Sequence, residues 1–550
     1  MRLLELDSTD DDPVMKSRVG GVSSATPVRP SIATAATKSG SVLSPAALTP
    51  TTTNTDTSLV RVSTPTTPLD NDKTLYPFRV KHLGTETYTL YANRAEDRRL
   101  WCDKIIEAKT KHAAALFRQN AEPFTLRVLA DAAFAYDTLG GHQKSVLIKG
   151  TSLSRALDEV NRRYSNVAKP VPICRAKVNC AASFTQADGR IKTIVGTDYG
   201  VYLCDSGSVR DWIRVLTSPR VTQLAVLEDF NLLILISDKA LIAYHLDAVC
   251  PVTGGTSQSS AKKPPQKLSG SRDVTFFSIG RMKSRTLIFY KKREGLTSVF
   301  KVLEPVLHRS AAVRRNLANA SGNPSGINSV AYTDTFRDYD DFTIASDSTA
   351  LSLFTSTIGV ATSRGFDVLN LDKKAPWGIP DLSASHTIAI AKRLEGLTPL
   401  GMFRLPSEDA TIAGAKSHSS NVVSNGYNSM QNNNASNDSA EYILVYDECA
   451  IYITRFGEIS RGVHMEFVGK ARSAALVEGF LVLFDSDFVE VRDAQTGRLK
   501  QIISGRDVRA IDDGSAGGPA GGTVKLAMQH PEMERYQIVL EMMLNRGMMR

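Results

Sequence analysis

Residues 191–205 read IKTIVGTDYGVYLCD, and this stretch decides the fold. An apolar run rich in Ile, Val and Thr is followed by a tight polar turn and then by a second apolar run. β-Branched and aromatic residues on both sides of a turn that contains Gly and Asp are typical of a β-hairpin. The glycines supply the backbone conformations with positive φ that such a turn needs.

The same hairpin pattern recurs five more times towards the C-terminus, at 232–247, 286–305, 356–372, 441–457 and 480–497. Repetition of one hairpin predicts a mainly β domain built as a β-propeller with six or seven blades. Low-complexity insertions at 249–270 and 407–439 explain the uneven spacing of the hairpins. We therefore expect one propeller over residues 170–512, followed by a tail at 513–550 that ends in a short helix.

The sequence before the propeller predicts a smaller unit at 75–118. YPFRVKHLG and TYTLYA read as two strands around Gly84, and Leu100, Trp101 and Ile105 then follow at helical spacing. We expect a long amphipathic helix here, with Trp101 in the core of the unit.

Residues 119–169 are predicted to form a helical connector. TLRVLADAAFAYD is rich in Leu and Ala, and a second helical stretch runs from Leu153 to Arg163.

The first 74 residues divide into two parts. Residues 1–7, MRLLELD, predict one short strand. Residues 8–74 are dominated by Ser, Thr, Pro and Ala and contain no aromatic side chain. Such a segment cannot bury enough apolar surface to offset the entropy lost on ordering, so 8–74 is predicted to be a disordered insertion or linker.

Charge and composition exclude several classes of protein. The formal net charge is +9 and the pI is about 9.1, but the basic residues are scattered, which argues against nucleic-acid binding and allows a weak contact with acidic lipids. The longest apolar run, 224–237, is interrupted by polar residues and is too short to span a bilayer. The six cysteines show no CxxC spacing and predict buried, reduced thiols in a cytoplasmic protein.

No motif predicts catalysis, a metal or a cofactor. The glycines of GTDYG at 196–200 lack the spacing and the following helix of a phosphate-binding loop. Four aspartates occupy equivalent hairpin turns, and they either cap local backbone N–H groups or converge on a cation: Asp198, Asp238, Asp447 and Asp485. We expect a binding protein that is not an enzyme.

One short basic cluster is a candidate contact with a partner or a lipid. Lys291, Lys292 and Arg293 are predicted to lie in the turn of the third hairpin. A solvated turn explains the same residues.

Two groups of segments resemble known families. IVGTDYGVYLCD, LLILISDKALIAYHLD, YILVYDECAIYITRFG and FDSDFVEVRDAQTGRLKQIISGRDVRAID resemble the citron homology (CNH) domain, which is similar to a seven-bladed propeller and serves in protein interaction. LYPFRVKHLGTETYTLYANRAEDRRLWCDKIIEA resembles the last strands and the C-terminal helix of a pleckstrin homology (PH) domain, with Trp101 at the position of that family's core tryptophan. The two in this order resemble the C-terminal half of fungal Rho-type guanine nucleotide exchange factors.

The resemblance implies a regulatory role in small GTPase signalling. The expected partners are a Rho-family GTPase, a signalling scaffold or a receptor tail, and the expected location is the cytoplasm with recruitment to the plasma membrane. The Dbl-homology helical bundle that performs exchange in that family has no counterpart here. The early PH strands, which carry the phosphoinositide-binding loop, have none either, so a fragment of a longer protein is expected and lipid binding is not carried over.

Two alternatives remain open at this point. One is a CNH-containing vesicle-tethering or vacuolar trafficking subunit, and the other is a propeller hydrolase, which would need acidic or His side chains that converge at the central channel.

Overall fold

A computed structural model of the chain describes residues 3–15, 74–136, 146–167, 171–186, 189–251, 264–270, 273–295, 297–306, 336–406, 440–515 and 522–549. Within these residues the strands form eight four-stranded sheets. Seven of the sheets are the blades of a closed ring, and the eighth forms a separate unit with one long helix.

The separate unit, here called the sheet–helix unit, comes first in the chain. Its elements are β1 (Leu4–Ser8), β2 (Val14–Met15), β3 (Thr74–His82), β4 (Thr87–Ala92) and α1 (Ala95–Arg118). Next come β5 (Phe124–Ala130) and α2 (Ser152–Arg163).

The first three blades follow in chain order. Their elements are β6 (Val178–Thr185), β7 (Ile191–Thr197), β8 (Gly200–Asp205) and β9 (Ile213–Leu216); β10 (Val221–Leu227), β11 (Leu232–Ser237), β12 (Ala240–His245), the short helix α3 (Leu246–Val249) and β13 (Gln266–Lys267); then β14 (Val274–Met282), β15 (Arg285–Glu294), β16 (Thr297–Pro305) and β17 (Phe336–Ile344).

The next three blades repeat this plan. Their elements are β18 (Ser348–Leu353), β19 (Thr357–Thr362), β20 (Gly365–Asn370), β21 (Trp377–Ile379) and the short helix α4 (Ile388–Leu394); β22 (Pro399–Arg404), β23 (Glu441–Tyr446), β24 (Cys449–Thr454) and β25 (Met465–Glu466); then β26 (Ser473–Val477), β27 (Phe480–Phe484), β28 (Phe488–Asp493) and β29 (Leu499–Ser504).

The seventh blade contains β30 (Arg509–Asp512), β31 (Lys525–Gln529) and β32 (Gln537–Leu544), and its fourth strand is β5 from the start of the propeller. Leu544 pairs with Phe124 and Val539 with Ala130, so the two ends of the propeller sequence meet in one sheet. This pairing closes the ring, because a strand from the start of the propeller sequence completes the last blade.

The predicted seven-bladed propeller is confirmed, and the six predicted hairpins are the second and third strands of blades one to six. These central strands are buried on both faces because each blade packs between two neighbours; every residue of β11, LLILIS, is buried. Burial on both faces explains why the sequence shows continuous apolar runs there.

Two predicted helical segments are strands. In the supposed connector, β5 (FTLRVLA) buries Phe124, Leu126 and Val128 in the core between blades six and seven. In the supposed tail, β32 (QIVLEMML) lies between β31 and β5 and is buried over its first six residues. Leu, Met and Ala favour helices, but pairing within a packed blade overrides that preference. The propeller therefore extends beyond 170–512 at both ends, whereas the predicted helix from Leu153 is confirmed as α2.

The predicted strand in residues 1–7 is confirmed as β1, which pairs with β3. The prediction of disorder over 8–74 is wrong for residues 8–15, because β1 extends to Ser8 and Val14–Met15 forms β2. Residues 16–73 lie outside the described part of the chain.

The expected core position of Trp101 is wrong. Helix α1 packs on the sheet through Cys102, which is buried with Leu6, Phe78 and Val80. Trp101 is 61% exposed. Successive residues point about 100° apart around a helix, so a helix that buries Cys102 turns Trp101 away from the sheet.

Candidate functional site

The sheet–helix unit lies against one end of the propeller. We call this end of the propeller the docking face. It contains the start of the first strand of each blade and the turn that joins the second strand to the third. Lys81 of β3 forms an ion pair with Asp487, in the turn between β27 and β28. Arg506, in the connection from β29 to β30, donates from Nη2 to Oδ1 of Asp7 at 2.7 Å.

The tip of the β3–β4 hairpin packs against the propeller. Leu83 is fully buried, and Gly84 has a φ of +78°. A Cβ atom added to Gly84 would overlap the carbonyl oxygen of Val468, in the connection from β25 to β26. This position therefore requires glycine both for its backbone conformation and for space.

A cavity of about 80 Å³ lies between the two units. Its lining includes Glu5 and Lys109 from the sheet–helix unit and Ser504 and Arg506 from the propeller. Lys109 donates from Nζ to the carbonyl oxygen of Leu4. Charged side chains of both signs face the cavity, which makes this interface polar.

Burial changes the pKa of two groups at the cavity. It raises the pKa of Glu5, and a hydrogen bond from Ser504 together with the nearby charges of Lys109, Lys81 and Arg506 opposes that rise. Burial also lowers the pKa of Lys109, and the Glu5 charge opposes that change. Each shift follows from the cost of removing a charge from water.

The four turn aspartates are held by local partners. Asp447 accepts from the backbone N–H of Thr398 at 3.0 Å, and Asp485 accepts from the N–H groups of Lys470 and Asp487. Asp198 accepts from Asn179, and Asp238 pairs with Arg220. Backbone capping is thus confirmed for two of the four aspartates. In the part of the chain that the structure describes, no three His, Cys, Asp or Glu side chains group as metal ligands would.

The three basic residues predicted to lie in a turn are on a strand instead. Strand β15 extends through Glu294, so Lys291, Lys292 and Arg293 lie on the strand. Lys291 is buried, and its Nζ donates to Oδ1 of Asp347 and to the carbonyl oxygen of Ser348, both at 2.6 Å. It is therefore not available to a partner. Arg293 is exposed at the docking face, and a partner contact there stays a prediction.

The six cysteines are free and buried, as predicted. Burial raises the pKa of the Cys204 thiol to about 11 and that of Cys449 to about 12, so both stay protonated near neutral pH. Over the ranges that the structure covers, no helix combines the length and the apolar character needed to cross a bilayer.

The sequence alone does not predict most of the docking contacts. Lys81 and Asp487 are 406 positions apart, and nothing local in either segment signals the pair. The sequence predicts a turn at Gly84, but the contact of Gly84 with Val468 depends on how two separate units pack.

A model of the CNH domain family matches residues 189–514, more than half of the chain. The chain belongs to the CNH domain family. The match begins in the first blade and ends within the seventh, and the strands that close the CNH propeller, β5 and β32, lie outside it.

The CNH chain is similar to fungal exchange factors. It is 29% identical over 491 residues to Rho1 guanine nucleotide exchange factor 3 of Schizosaccharomyces pombe, a match that covers 85% of this chain and 35% of that protein. It is 27% identical over 353 residues to Rho1 guanine nucleotide exchange factor 1 of the same organism, covering 63% and 23%. The chain therefore spans about a third or less of the length of these relatives.

The CNH propeller is also similar to a solved structure, the AfRom2 CNH domain. The two share 22% sequence identity with a TM-score of 0.47, and the match covers 67% of this chain and 94% of that one.

Proposed function

We propose that this chain is the regulatory, partner-binding region of a Rho-type guanine nucleotide exchange factor, and that it does not itself catalyse exchange. The observation that carries the proposal is the extent of the similarity to Rho1 guanine nucleotide exchange factor 3. It covers 85% of the chain and so extends beyond the CNH match at 189–514. The relatives reported above are exchange factors, which favours this role over vesicle tethering.

The docking face supports a mechanism for regulation. The propeller holds the sheet–helix unit there through Lys81–Asp487, Arg506–Asp7 and the Gly84 contact. A partner that binds the free part of this face lies next to the unit and can stabilise or displace it. Because a rigid propeller fixes the positions of its turns, such a partner has a defined distance to the unit.

We propose a Rho-family GTPase, a signalling scaffold or a receptor tail as the partner. The protein acts in the cytoplasm and is recruited to the plasma membrane through that partner. Arg293 is exposed at the docking face and is the candidate contact. That the sheet–helix unit is the C-terminal part of a PH domain is also part of this proposal; its hairpin and following long helix support it.

A binding measurement tests the choice of partner and face. Purified chain is titrated by biolayer interferometry against a Rho-type GTPase in its GDP-bound, GTP-analogue-bound and nucleotide-free forms. We expect binding in at least one form, and we expect Arg293→Glu to weaken it roughly 5- to 10-fold, as reversal of an interface charge does.

Arg498→Glu is the matched control. Arg498 is exposed in the connection from β28 to β29, at the opposite end of the propeller. No binding to any form of the GTPase overturns the GTPase as direct partner, and equal effects of the two substitutions overturn the choice of the docking face.

A further inference from the structure

Three basic residues lie together at the centre of the docking face. First strands of neighbouring blades contact one another around the centre of the ring, among them β30 and β6. Lys177 precedes β6 by one residue, Arg472 precedes β26 by one residue, and Arg509 begins β30. These strands belong to blades one, six and seven, which are consecutive in the closed ring. We call Lys177, Arg472 and Arg509 the central cations.

Arg509 is held in place by the propeller itself. Its Nη1 donates to the carbonyl oxygen of Val178, the residue after Lys177, and its Nη2 donates to Oε1 of Gln537, both at 2.9 Å. Its Nε donates to the carbonyl oxygen of Asp507 at 3.2 Å, and only 11% of the side chain is exposed. Arg509 therefore keeps a positive charge at a fixed position beside Lys177.

Lys177 and Arg472 have unused donors. In the part of the chain that the structure describes, neither side chain has a hydrogen bond or an ion pair. Lys177 is half-buried and Arg472 is exposed. Burial lowers the pKa of Lys177, and the nearby positive charges of Arg509 and Arg472 lower it further. Like charges gathered in a partly buried place repel one another, and a bound anion offsets that repulsion.

The carboxylates near the central cations are already engaged. Oδ2 of Asp507 lies 3.3 Å from Nε of Arg509, and Asp198 accepts from Nδ2 of Asn179 at 2.9 Å. Both carboxylates oppose the change in the pKa of Lys177, which nevertheless stays below its ordinary value. Three cations against two carboxylates leave a positive balance at the centre of the docking face.

The unused donors indicate the chemistry of the ligand. The ammonium group of Lys177 and the guanidinium group of Arg472 can donate but cannot accept. A phosphate monoester carries about two negative charges and three strong acceptor oxygens, which suits two such donors beside the fixed charge of Arg509. A carboxylate carries a single charge and suits them less well.

The surroundings of the central cations favour a protein segment over a lipid surface. The sheet–helix unit stands on the same face and packs against Val468, four residues before Arg472. A flat bilayer is therefore kept away from the half-buried Lys177, whereas a single side chain can enter beside the unit.

We propose that the central cations bind a phosphorylated side chain of a protein partner. Lys177 and Arg472 donate to the phosphate oxygens, and Arg509 supplies a fixed positive charge. All three residues belong to the propeller, and Arg293 lies apart from them on the third blade. The site does not rest on the proposed role in nucleotide exchange.

Phosphorus NMR of the tripeptide acetyl-Gly-phosphothreonine-Gly-amide, titrated with the purified chain, tests the site. We expect a Kd of about 0.1–1 mM, and we expect Lys177→Gln and Arg472→Gln each to weaken binding about 10-fold, since each removes charge-assisted hydrogen bonds. Lys239→Gln is the matched control, because Lys239 is an exposed lysine in the turn between β11 and β12 of the same face. Equal effects of the Lys177 and Lys239 substitutions overturn the site.

Acylation with acetic anhydride tests the same site in the unsubstituted chain. A lowered pKa leaves more of the Lys177 amine unprotonated and reactive at neutral pH. We expect saturating tripeptide to protect Lys177 and to leave Lys239 unprotected, as measured by mass spectrometry of the digested chain. Labelling of Lys177 that is the same with and without the tripeptide overturns the proposal.

Competition against the phosphothreonine tripeptide tests the class of ligand. Tripeptides with threonine or glutamate in place of phosphothreonine are expected to compete at least about 10-fold more weakly. Equal competition by the glutamate tripeptide overturns the choice of a phosphate. Phosphatidylcholine vesicles that contain a phosphoinositide are expected to bind no better than plain phosphatidylcholine vesicles. Stronger binding that Lys177→Gln abolishes would assign the site to a membrane and overturn the choice of a protein partner.

Discussion

Gly84 lies at the tip of the β3–β4 hairpin, where the hairpin packs against the propeller. Its φ of +78° and the Val468 carbonyl both oppose a side chain. The sequence predicts the turn, because glycine between two apolar strands is a local signal. It does not predict the contact, because Val468 belongs to another unit.

Substitution of Gly84 by alanine tests this contact. We expect Gly84→Ala to destabilise the docked hairpin by about 2–4 kcal/mol, since the added Cβ forces the Val468 backbone to shift and the positive φ adds strain. Amide hydrogen exchange of residues 76–92 and 465–472 measures the effect.

Gly189→Ala is the matched control, because Gly189 has a φ of +83° and no atom within 4 Å of its added Cβ. Gly189→Ala therefore costs only the strain of a side chain at positive φ, about 1 kcal/mol. Equal effects of the two substitutions contradict the docking described here.

Glu5 gives a pH dependence at the same interface. Its pKa is raised in the folded protein by burial, so the folded state binds the proton more tightly than the unfolded state does. The protonated, neutral form of Glu5 therefore stabilises the folded state at acid pH. This contribution to the free energy of unfolding is lost as the pH rises from the ordinary pKa of 4.5 through the raised value.

Glu5→Gln removes this loss of stability, because glutamine is neutral at every pH. We expect the variant to be more stable than the wild type at pH 7 and close to it below about pH 4, where the carboxyl group is neutral. Thermal melting at both pH values checks this, with Glu159→Gln as the exposed control. A variant less stable than the wild type at pH 7 shows that the cations around Glu5 outweigh its burial.

At the scale of elements, the central hairpins of the first six blades were predictable and the closure of the ring was not. A hairpin such as 441–457 is a local pattern of two apolar runs and a turn. The seventh blade takes its fourth strand from β5, more than 400 residues from β32. β5 and β32 are rich in helix-forming residues, so only the packed blade determines that they are strands.

Phe124 tests the closure by β5. It is 1% exposed and packs edge-on against Phe480 of the neighbouring blade at 5.7 Å. We expect Phe124→Ala to lower the free energy of unfolding of the propeller by about 3–5 kcal/mol, as loss of a buried aromatic ring does. Phe456→Ala, at a position 61% exposed, changes it by less than about 0.5 kcal/mol.

Chemical denaturation monitored by tryptophan fluorescence measures both variants. Trp212, buried in the first blade next to β5, reports on the closed ring. A Phe124 variant as stable as the Phe456 variant would show that β5 is dispensable.

For the whole molecule, the family could be predicted from four propeller segments in order, whereas the arrangement of the two units could not. The sheet–helix unit is held at the docking face by ion pairs and one glycine contact between distant segments, and no local sequence pattern predicts these contacts. The same applies to the sheet–helix unit: its hairpin and helix are local, but the exposure of Trp101 depends on which face of α1 meets the sheet.

We propose that this chain regulates nucleotide exchange and does not itself catalyse it. The most direct measurement is the release of fluorescent GDP from a purified Rho-type GTPase with and without the chain 1–550, with an isolated catalytic exchange domain as the positive control. We predict that the chain leaves the release rate at its intrinsic value at every concentration tested. Acceleration of release by the purified chain, dependent on its concentration, would contradict the central claim.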